Sequence, residues 1–496
     1  IVLISLVRRQ YWIPQTEKNN ISKEKGAGGI YFRKAVGYWE GFSFIVGIVI
    51  GSGIFIAPTG VIRFSHLNVG VALCIWGACG LLSLMAALCY AELGVSLPSS
   101  GGSYYYSKRA LGSIPAFIYM CVMVFFLRPA SCAAKALTLS EYALQPFYGE
   151  CEAPEVTKKS LAVAVLLFLT IINCFNTKWA VLVQKVFTFL KILALTVIIF
   201  GGISQLYNGK TGSLANGFSG EIASVSDLAQ AIYQGMWAYS GWSAVNTIAE
   251  ELKNPRKNIP RCISTALPVV TLLYVLVNVS YLTVMTPKEM TMSAAVGNTW
   301  ASRVLGSFFW IIPMSVAIST FGSINGSTFL QGRLKYAASR EGHLPSFFSM
   351  LNIHHLTPAP GIILSGLLSI LFVISSSLLT LTSYFGFFSW VVITMTCISL
   401  LVLRYREPDL PRPYKVPLPI VLLTIGAGIF FILAPIIRSP KKQYIYGLLA
   451  MFGSLIFYVP FVHFKLRFKF FDKVTYIMQL LCEVSFIDES KAFKGK

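Results

Sequence analysis

Residues 44–58 read FIVGIVIGSGIFIAP, a long apolar stretch that is interrupted near its centre by Gly51-Ser52-Gly53. The sixth apolar segment is interrupted in a similar way, at Tyr239-Ser240-Gly241-Trp242. Non-helical backbone is tolerated inside a bilayer only where it is buried in protein or lines a cavity. Broken helices at matching places in two repeats are typical of proteins that bind a solute at mid-membrane. The two interruptions therefore predict a polar binding site between two five-helix halves.

The composition is that of a membrane protein. Of the 496 residues, 55% are hydrophobic and 12% are charged, and the mean hydropathy is +0.66. We predict an all-α polytopic membrane protein with 12 transmembrane helices, arranged as a 5+5 inverted repeat with helices 1 and 6 broken. The predicted spans lie near 37–63, 68–94, 113–145, 160–176, 180–206, 228–250, 262–286, 304–338, 359–379, 382–404, 416–437 and 444–464. Residues 35–465 would form the transporter domain, between an N-terminal tail (1–34) and a partly amphipathic C-terminal tail (466–496).

The net charge of +21 reports topology. Lysines and arginines cluster between alternate spans, for example around Lys108, Arg261, Arg340 and Arg404. The positive-inside rule places these loops and both termini in the cytoplasm. The basic residues therefore predict contact with the lipid bilayer and no nucleic-acid partner.

The first interruption suits the two charged groups of a free amino acid. The helix that restarts at Ile54 directs unpaired N–H groups and the positive end of its dipole into the break, which suits a carboxylate on the amides of Gly51, Ser52 and Gly53. Carbonyls near Ile48 and Tyr239 suit an ammonium group. The alternative is close helix packing, because Gly-x-Gly pairs are common at membrane-helix contacts.

Charge inside the third span bears on the substrate. Arg128 is an intramembrane cation, which costs at least ~2.5–3.5 kcal/mol when unpaired and marks a candidate binding residue. Lys135 follows two helical turns later, and no acidic residue lies in the middle of a neighbouring span. An acidic substrate side chain could neutralise Arg128. The alternatives are that Arg128 bonds helix-end carbonyls and that Lys135 snorkels to the outer surface.

Several motifs resemble the light subunits of heteromeric amino acid transporters, which belong to the amino acid, polyamine and organocation superfamily. The similar segments are Ile50-Gly51-Ser52-Gly53-Ile54-Phe55, Ala91-Glu92-Leu93-Gly94, Ala238-Tyr239-Ser240-Gly241-Trp242, Glu250-Glu251 with Asn254-Pro255, and Ala338-Ser339-Arg340-Glu341-Gly342-His343-Leu344-Pro345. The resemblance covers about residues 35–490. Gly37-Tyr38-Trp39 and Asn68-Val69-Gly70-Val71 are most similar to the aspartate/glutamate transporter 1 type, and Arg128-Pro129-Ala130 is similar to the cystine/glutamate exchanger type.

The resemblance implies a LeuT-like fold and sodium-independent exchange at the plasma membrane. It implies a disulfide from Cys151 to a single-span glycoprotein heavy chain, of the rBAT type or the 4F2 heavy chain. Lys191 matches a lysine that replaces sodium, with outward snorkelling as the alternative. Trp237 matches an aromatic gate over the substrate, and Trp242 is a second candidate gate, with core packing as the alternative for both.

The resemblance also bears on substrate charge. Dibasic transporters of the family carry aspartate where this chain has Ser240, which argues against a cationic substrate. The cystine/glutamate exchanger carries a second arginine where this chain has Ser389. The preference between cystine and aspartate or glutamate therefore stays open. Glu92 and Glu250-Glu251 with Arg340 are expected near the cytoplasmic face, as an ion-pair latch or as solvated loop charges.

We therefore predict an exchanger for anionic amino acids, namely aspartate, glutamate and cystine. Its substrate-binding residues would be Ile48, Gly51, Ser52, Gly53, Arg128, Trp237, Tyr239 and Ser240. The rival hypotheses are a neutral amino acid exchanger in which Arg128 is structural, a channel, and a non-transporting scaffold. Neither a metal motif nor a nucleotide fingerprint is present, so we expect no cofactor, no metal and no enzymatic activity.

Overall fold

The computed structural model describes residues 36–97, 102–148, 153–175, 177–215, 217–219, 221, 223–247, 252–293, 295–376, 378–438, 442–464, 466 and 469–486. Cys151, Glu250 and Glu251 lie outside the described residues.

The described chain is helical throughout, apart from one pair of short strands. The first half contains α1 (Tyr38–Val49), α2 (Gly53–Phe64), α3 (Val69–Ser96), α4 (Ser103–Leu111), α5 (Ser113–Cys121), α6 (Arg128–Tyr148), α7 (Glu155–Phe175), α8 (Thr177–Tyr207), α9 (Gly212–Ala215), α10 (Val225–Ala238) and α11 (Ala244–Thr247). A π-helical turn, Val122–Leu127, joins α5 to α6 and is called the π segment below.

The second half has the same character. It contains α12 (Pro255–Val284), α13 (Pro287–Met292), α14 (Val296–Val304), α15 (Ile311–Arg340), α16 (Ala359–Ser375), α17 (Leu378–Arg406), α18 (Leu418–Arg438), α19 (Lys442–Gly453), α20 (Leu455–Tyr458) and α21 (Lys469–Cys482), with a second π-helical turn at Val459–His463 and 3-10 turns at Gly306–Phe308 and Ser346–Ser349. Strands β1 (Met350–Asn352) and β2 (Val484–Phe486) pair antiparallel, with Leu351 opposite Ser485.

Six helical stretches of the described chain are long and apolar enough to cross a membrane, and the bent pair α1–α2 makes a seventh. Three shorter apolar helices lie at Ala359–Ser375, Leu418–Ala434 and Gly447–His463. A polytopic helical membrane protein is thus supported, whereas twelve spans remain a prediction. Some of the twelve predicted spans are missing from this set because their helices are interrupted. The predicted span 228–250 is divided at its break, and 444–464 is divided into α19, α20 and a π-helical turn.

Both predicted breaks are present. The axes of α1 and α2 differ by 47° across residues 50–52. The backbone after α10 turns through Gly241 at φ +114°, a conformation that side chains other than glycine rarely adopt. A Cβ at Gly241 would stand 2.4 Å from Cγ2 of Ile48, and a Cβ at Gly53 would stand 2.4 Å from Cα of Ala238. The two breaks therefore touch each other.

A buried aromatic group on α12 holds these breaks together. The Tyr274 hydroxyl lies 2.9 Å from the carbonyl of Val49 and 3.1 Å from that of Ala238, the last residues of α1 and α10. Its ring packs edge-on against Trp76 of α3. Helix ends leave their last carbonyls without intrahelical partners. One hydroxyl shared between two such carbonyls fixes the two half-helices relative to each other.

A candidate binding cavity between the broken helices

A cavity of about 80 Å³ lies where the two breaks meet α6 and α17. The breaks contribute Ile48, Trp237, Ser240, Gly241 and Trp242. The other walls come from Tyr90, Tyr119, Met123, Leu127, Arg128, Ser131, Lys135, Met236, Ser243, Ser327, Phe385, Gly386, Ser389, Val392 and Ile393. Four of the predicted binding residues, Ile48, Arg128, Trp237 and Ser240, are thus brought together.

The other predicted binding residues are differently placed. Gly51 and Gly53 are buried in packing contacts, with Ser323 and Ala238 respectively. The Tyr239 side chain faces away from the cavity, and its hydroxyl donates to the carbonyl of Trp76 at 3.1 Å. The prediction for Tyr239 was that a backbone carbonyl there receives the substrate ammonium, and the direction of its side chain does not test this.

Two buried polar atoms at the breaks have no hydrogen-bond partner among the described residues. They are Oγ of Ser52, which is 1% exposed, and Nε1 of Trp237, which lines the cavity. An unsatisfied buried polar group costs about 1–3 kcal/mol. Such groups persist where a ligand or water completes their bonding. Ser52, just before α2, does not line the cavity in this structure, but its unpartnered hydroxyl is consistent with the predicted contact to a polar substrate group.

Three serines on α15 form a ladder that faces the first break, and sequence reasoning missed them. Ser319, Ser323 and Ser327 are spaced by four residues, so they lie on one helix face. The Ser323 hydroxyl donates to the Ile48 carbonyl at 3.1 Å, and the Ser319 hydroxyl donates to the Ile50 carbonyl at 3.4 Å. The carbonyl at Ile48 that was expected to receive the substrate ammonium already accepts one hydrogen bond.

Lys191 lies on α8 beside the same half-helix. It is 1% exposed, and its ammonium donates to the carbonyl of Gly47. A buried ammonium bonded to helix-end carbonyls occupies the kind of place where a bound cation would otherwise satisfy those oxygens. The structure thus places Lys191 inside the bundle and not in the outward snorkel that was the alternative.

Arg128 begins α6 immediately after the π segment and lines the cavity. It has neither a hydrogen bond nor an ion pair with any residue that the structure describes. A second cavity of about 20 Å³ shares Tyr119, Met123 and Arg128 with the first and continues to Ser103. Single π-helical turns inside α-helices frequently occur at functional sites. Arg128 is therefore available to a ligand from either cavity.

Lys135 corrects one expectation. Its side chain does not snorkel to the outer surface but is 5% exposed, lines the cavity and donates to the Ser327 hydroxyl at 3.0 Å. The reason is that the serine ladder offers a polar partner inside the bundle, which no pattern within the third span could show. Among the described residues that line the cavity, no Asp or Glu accompanies the two cations.

The two tryptophans are both buried in the cavity wall. Trp237 is 2% exposed and Trp242 is 5% exposed. Trp242 also packs edge-on against Tyr90, with ring centroids 4.8 Å apart. Trp242 therefore combines the predicted position at the cavity with the core packing that was its alternative.

The ion pair of Glu92 differs from the predicted latch. Glu92 is fully buried, and its carboxylate accepts from Nε of Arg404 at 2.9 Å and from the amide of Val416 at 2.7 Å, while Arg412 lies 3.7 Å away. Arg340 is not among these partners of Glu92 and lies over the ring of Tyr336, and its predicted pairing with Glu250 and Glu251 stays a prediction because both glutamates lie outside the described residues. Sequence spacing could not choose between the several arginines in the loops at this end of the helices.

Comparison with known proteins gives the family. The family model "Amino acid permease" matches residues 36–460. The chain is 41% identical over 482 residues to the b(0,+)-type amino acid transporter 1 of Mus musculus, covering 97% of this chain and 98% of that protein. It is 41% identical over 464 residues to solute carrier family 7 member 13 of Mus musculus, covering 93% and 97%. Identity to the large neutral amino acids transporter small subunit 2 of Mus musculus is 39% over 476 residues, covering 94% and 89%.

These relatives confirm the resemblance to the family of amino acid transporters and do not support the aspartate/glutamate and cystine/glutamate types in particular. The matching family model and the similar proteins are permeases or transporters, and not enzymes. The cavity between the two broken helices accordingly belongs to a membrane transporter, and the chain is a member of the amino acid permease family.

Proposed function

We propose that this chain is the transport subunit of a sodium-independent exchanger for amino acids with neutral side chains. The observation that carries the proposal is the cavity at which both helix breaks meet. The lining divides into polar groups, among them Ser240 and Ser243 at the second break, and apolar side chains that include Trp237, Phe385, Val392 and Ile393. An amino acid with an apolar side chain matches this division.

The breaks would hold the two backbone charges of the substrate. The N-terminus of α2, with the unpartnered Ser52 hydroxyl, suits the α-carboxylate. The carbonyl end of α10, next to Ser240, suits the α-ammonium. Trp237 in the cavity wall would act as the gate, with Trp242 behind it. Alternating access would come from rocking of one helix bundle against the other within a twelve-span, 5+5 repeat.

Substrate charge follows from what lines the cavity. Arg128 and Lys135 would repel a cationic side chain, and the described lining offers no carboxylate to offset them. The name of one relative, a large neutral amino acids transporter small subunit, agrees with a neutral substrate. Neutral substrates therefore have the best support, ahead of dibasic ones.

A second candidate is exchange of anionic amino acids: aspartate, glutamate or cystine. The observation that favours it is Arg128, which lines the cavity without a partner in the described chain. An acidic side chain there would remove the cost of an isolated intramembrane cation. The two hypotheses differ in one respect, which is whether Arg128 is neutralised by substrate or is retained as a structural residue.

Sodium independence is supported by Lys191. Its ammonium donates to the carbonyl of Gly47 on the half-helix whose later carbonyls, at Ile48 and Ile50, accept from Ser323 and Ser319. A fixed charge would do permanently what a bound sodium ion does transiently. Transport would then be driven by the amino acid gradients alone.

The heterodimer remains part of the proposal. Cys151 would form a disulfide with a single-span heavy chain of the rBAT type or the 4F2 heavy chain, and the pair would lie in the plasma membrane with both termini of this chain cytoplasmic. The test is coexpression with each heavy chain and electrophoresis without reductant. A dimer band that is lost in Cys151→Ser but kept in Cys74→Ser supports the link, and a band that survives Cys151→Ser rejects it.

Uptake into liposomes that contain the purified complex tests the transport function. Labelled leucine, aspartate, glutamate, cystine and arginine are compared with and without internal amino acid, for wild type, Arg128→Gln and Arg128→Lys. We expect leucine uptake that requires internal substrate and persists in Arg128→Lys. Acidic uptake that is abolished in Arg128→Gln would instead establish the second candidate. Arginine as the preferred substrate, or uptake independent of internal amino acid, would refute both.

A further inference from the structure

A third and much larger cavity lies on the far side of the π segment from the substrate cavity. Its volume is about 980 Å³. It is enclosed by α5, the π segment, the loop after α15, the helices α19 and α20 with the turn that follows them, and the start of α21. Its lining includes six phenylalanines, Phe117, Phe125, Phe126, Phe457, Phe461 and Phe471.

The position of α21 places one end of this cavity at a membrane surface. One face of α21 packs on the protein through Phe471, Val474 and Met478. Phe470, Ile477, Leu480 and Leu481 remain exposed, beside charged residues. A helix that exposes both apolar and charged residues lies in the bilayer interface. The cavity beside it therefore opens where lipid head groups and acyl chains meet, in the leaflet that the positive-inside rule identifies as cytoplasmic.

The polar groups of the cavity gather at this same end. Asp472 and Ser346 line it, together with His343, whose Nδ1 is hydrogen-bonded to the Tyr104 hydroxyl at 2.8 Å. Burial, together with the neighbouring Lys108, lowers the pKa of His343 to about 4, so the ring is neutral at physiological pH. Lys469 and Lys473 lie one turn apart on α21 and are exposed on either side of Asp472. Neither lysine lines the cavity, and Asp472 does; along the start of α21, however, the two ammonium groups outnumber this one carboxylate.

We propose that this cavity binds an anionic phospholipid of the cytoplasmic leaflet, with an acyl chain between the phenylalanines and the phosphate beside Lys469 and Lys473. Basic residues on an amphipathic helix next to the last membrane span are typical of such recognition. A sterol would use the same apolar walls but would gain nothing from the two lysines.

The bound lipid would be coupled to the substrate cavity through the π segment. Phe125 and Phe126 of this segment line the large cavity. Met123 and Leu127 of the same turn line the substrate cavity, and Arg128 follows directly. A lipid in the large cavity would pack against one side of the π segment, and the other side of the π segment lines the substrate cavity. We therefore expect anionic lipid to change transport rate as well as to bind.

Gly453 offers a way to fill the cavity without a clash. It lines the cavity, and a Cβ built on it would meet no atom within 4 Å. Gly426 on α18 meets none either and lies outside the cavity lining, so Gly426→Phe is the matched control for Gly453→Phe. For the charges, Lys469→Gln/Lys473→Gln is matched by Lys253→Gln/Lys257→Gln, two exposed residues with the same spacing.

The test is photolabelling of the purified full-length chain in phosphatidylcholine vesicles. The probes are photoactivatable analogues of phosphatidylserine, phosphatidylcholine and cholesterol, and labelled peptides are mapped by mass spectrometry. We expect the phosphatidylserine probe to label the walls of this cavity, and Gly453→Phe, which narrows the cavity, to weaken the labelling. Removing both lysines should weaken it by up to about 30-fold, since each contributes near an anionic head group. Both control variants should label as wild type does.

Equal labelling by the phosphatidylcholine or cholesterol probe would overturn the choice of an anionic lipid. Labelling at the wild-type level in a folded Gly453→Phe variant, or labelling of the wild type away from these walls, would overturn the site. If Gly453→Phe fails to fold, the double lysine variant decides, because it changes only exposed side chains: unchanged labelling there refutes the proposal. The labelling does not require transport, so its failure is distinct from a failure of the proposed function. An amino acid flux that is the same with and without phosphatidylserine would refute the coupling.

Discussion

Replacing Gly53 by alanine should disable transport, because Gly53 lies where the two broken helices touch. A Cβ at this position would stand 2.4 Å from Cα and 2.8 Å from Cβ of Ala238. Ordinary contact begins at 3.4 Å, so α2 and the end of α10 would have to separate by about 1 Å. Backbone atoms cannot rotate away as a side chain can. The added methyl group would therefore move the two breaks apart.

The size of the effect follows from the cost of overpacking. Extra methyl groups in a close-packed site cost about 1–3 kcal/mol. If that energy falls on the substrate-binding state, transport efficiency drops about 5- to 150-fold. Gly51→Ala should do less, because its Cβ would meet the Ser323 hydroxyl at 2.8 Å, which can rotate at the loss of one hydrogen bond to Ile48 worth about 1 kcal/mol. Gly77→Ala meets no atom within 4 Å and should be neutral.

The assay is leucine exchange in proteoliposomes, combined with thermal melting of the purified variants. Melting separates a variant that has unfolded from one that folds but binds poorly. The expected order of exchange rates is wild type and Gly77→Ala together, then Gly51→Ala, then Gly53→Ala. A folded Gly53→Ala variant with wild-type exchange would refute the reasoning. So would a Gly77→Ala variant as impaired as Gly53→Ala, since both add the same methyl group to a membrane helix.

Three further predictions concern buried charges. Lys191→Met should lower exchange at least about fivefold, because the carbonyl of Gly47 loses its donor; wild-type exchange by this variant in sodium-free choline medium would reject the proposed role. Glu92→Ala should destabilise the protein by about 3–5 kcal/mol, since it leaves the guanidinium groups of Arg404 and Arg412 without their carboxylate. The control Glu289→Ala removes an exposed ion pair worth at most about 1 kcal/mol. Thermal melting compares the two variants, and equal losses of stability would contradict this assignment. The pKa of His343 is about 4 in the folded protein, below its ordinary value of 6.5. On acidification the unfolded chain takes up this proton first, so stability should fall between pH 6.5 and 4 by at most about 3 kcal/mol; an unaltered pH dependence of melting in His343→Gln would refute it.

The two helix breaks could be predicted from sequence because their cause is local. Gly51 and Gly53 interrupt an apolar helix within three residues. At the second break, Gly241 adopts a φ of +114°, which favours glycine and is therefore visible in the sequence as a glycine. The serine ladder could not be predicted in the same way. Ser319 and Ser323 act on carbonyls more than 260 residues earlier, and each serine in its own helix resembles any small residue at a membrane-helix contact.

The substrate prediction failed to gain support for the same reason. The sequence predicted an anionic substrate from Arg128, an intramembrane cation with no acidic partner in a neighbouring span, and it predicted that Lys135 snorkels to the outer surface. In the structure, Lys135 already donates to Ser327, so only Arg128 lacks a partner in the described chain. The serine hydroxyl satisfies one N–H of Lys135 but leaves its charge in place, so the cavity keeps two cations beside apolar side chains such as Phe385 and Val392. Whether a buried charge selects a substrate depends on the hydrogen bonds it has already made, and those bonds run between helices that are far apart in the sequence.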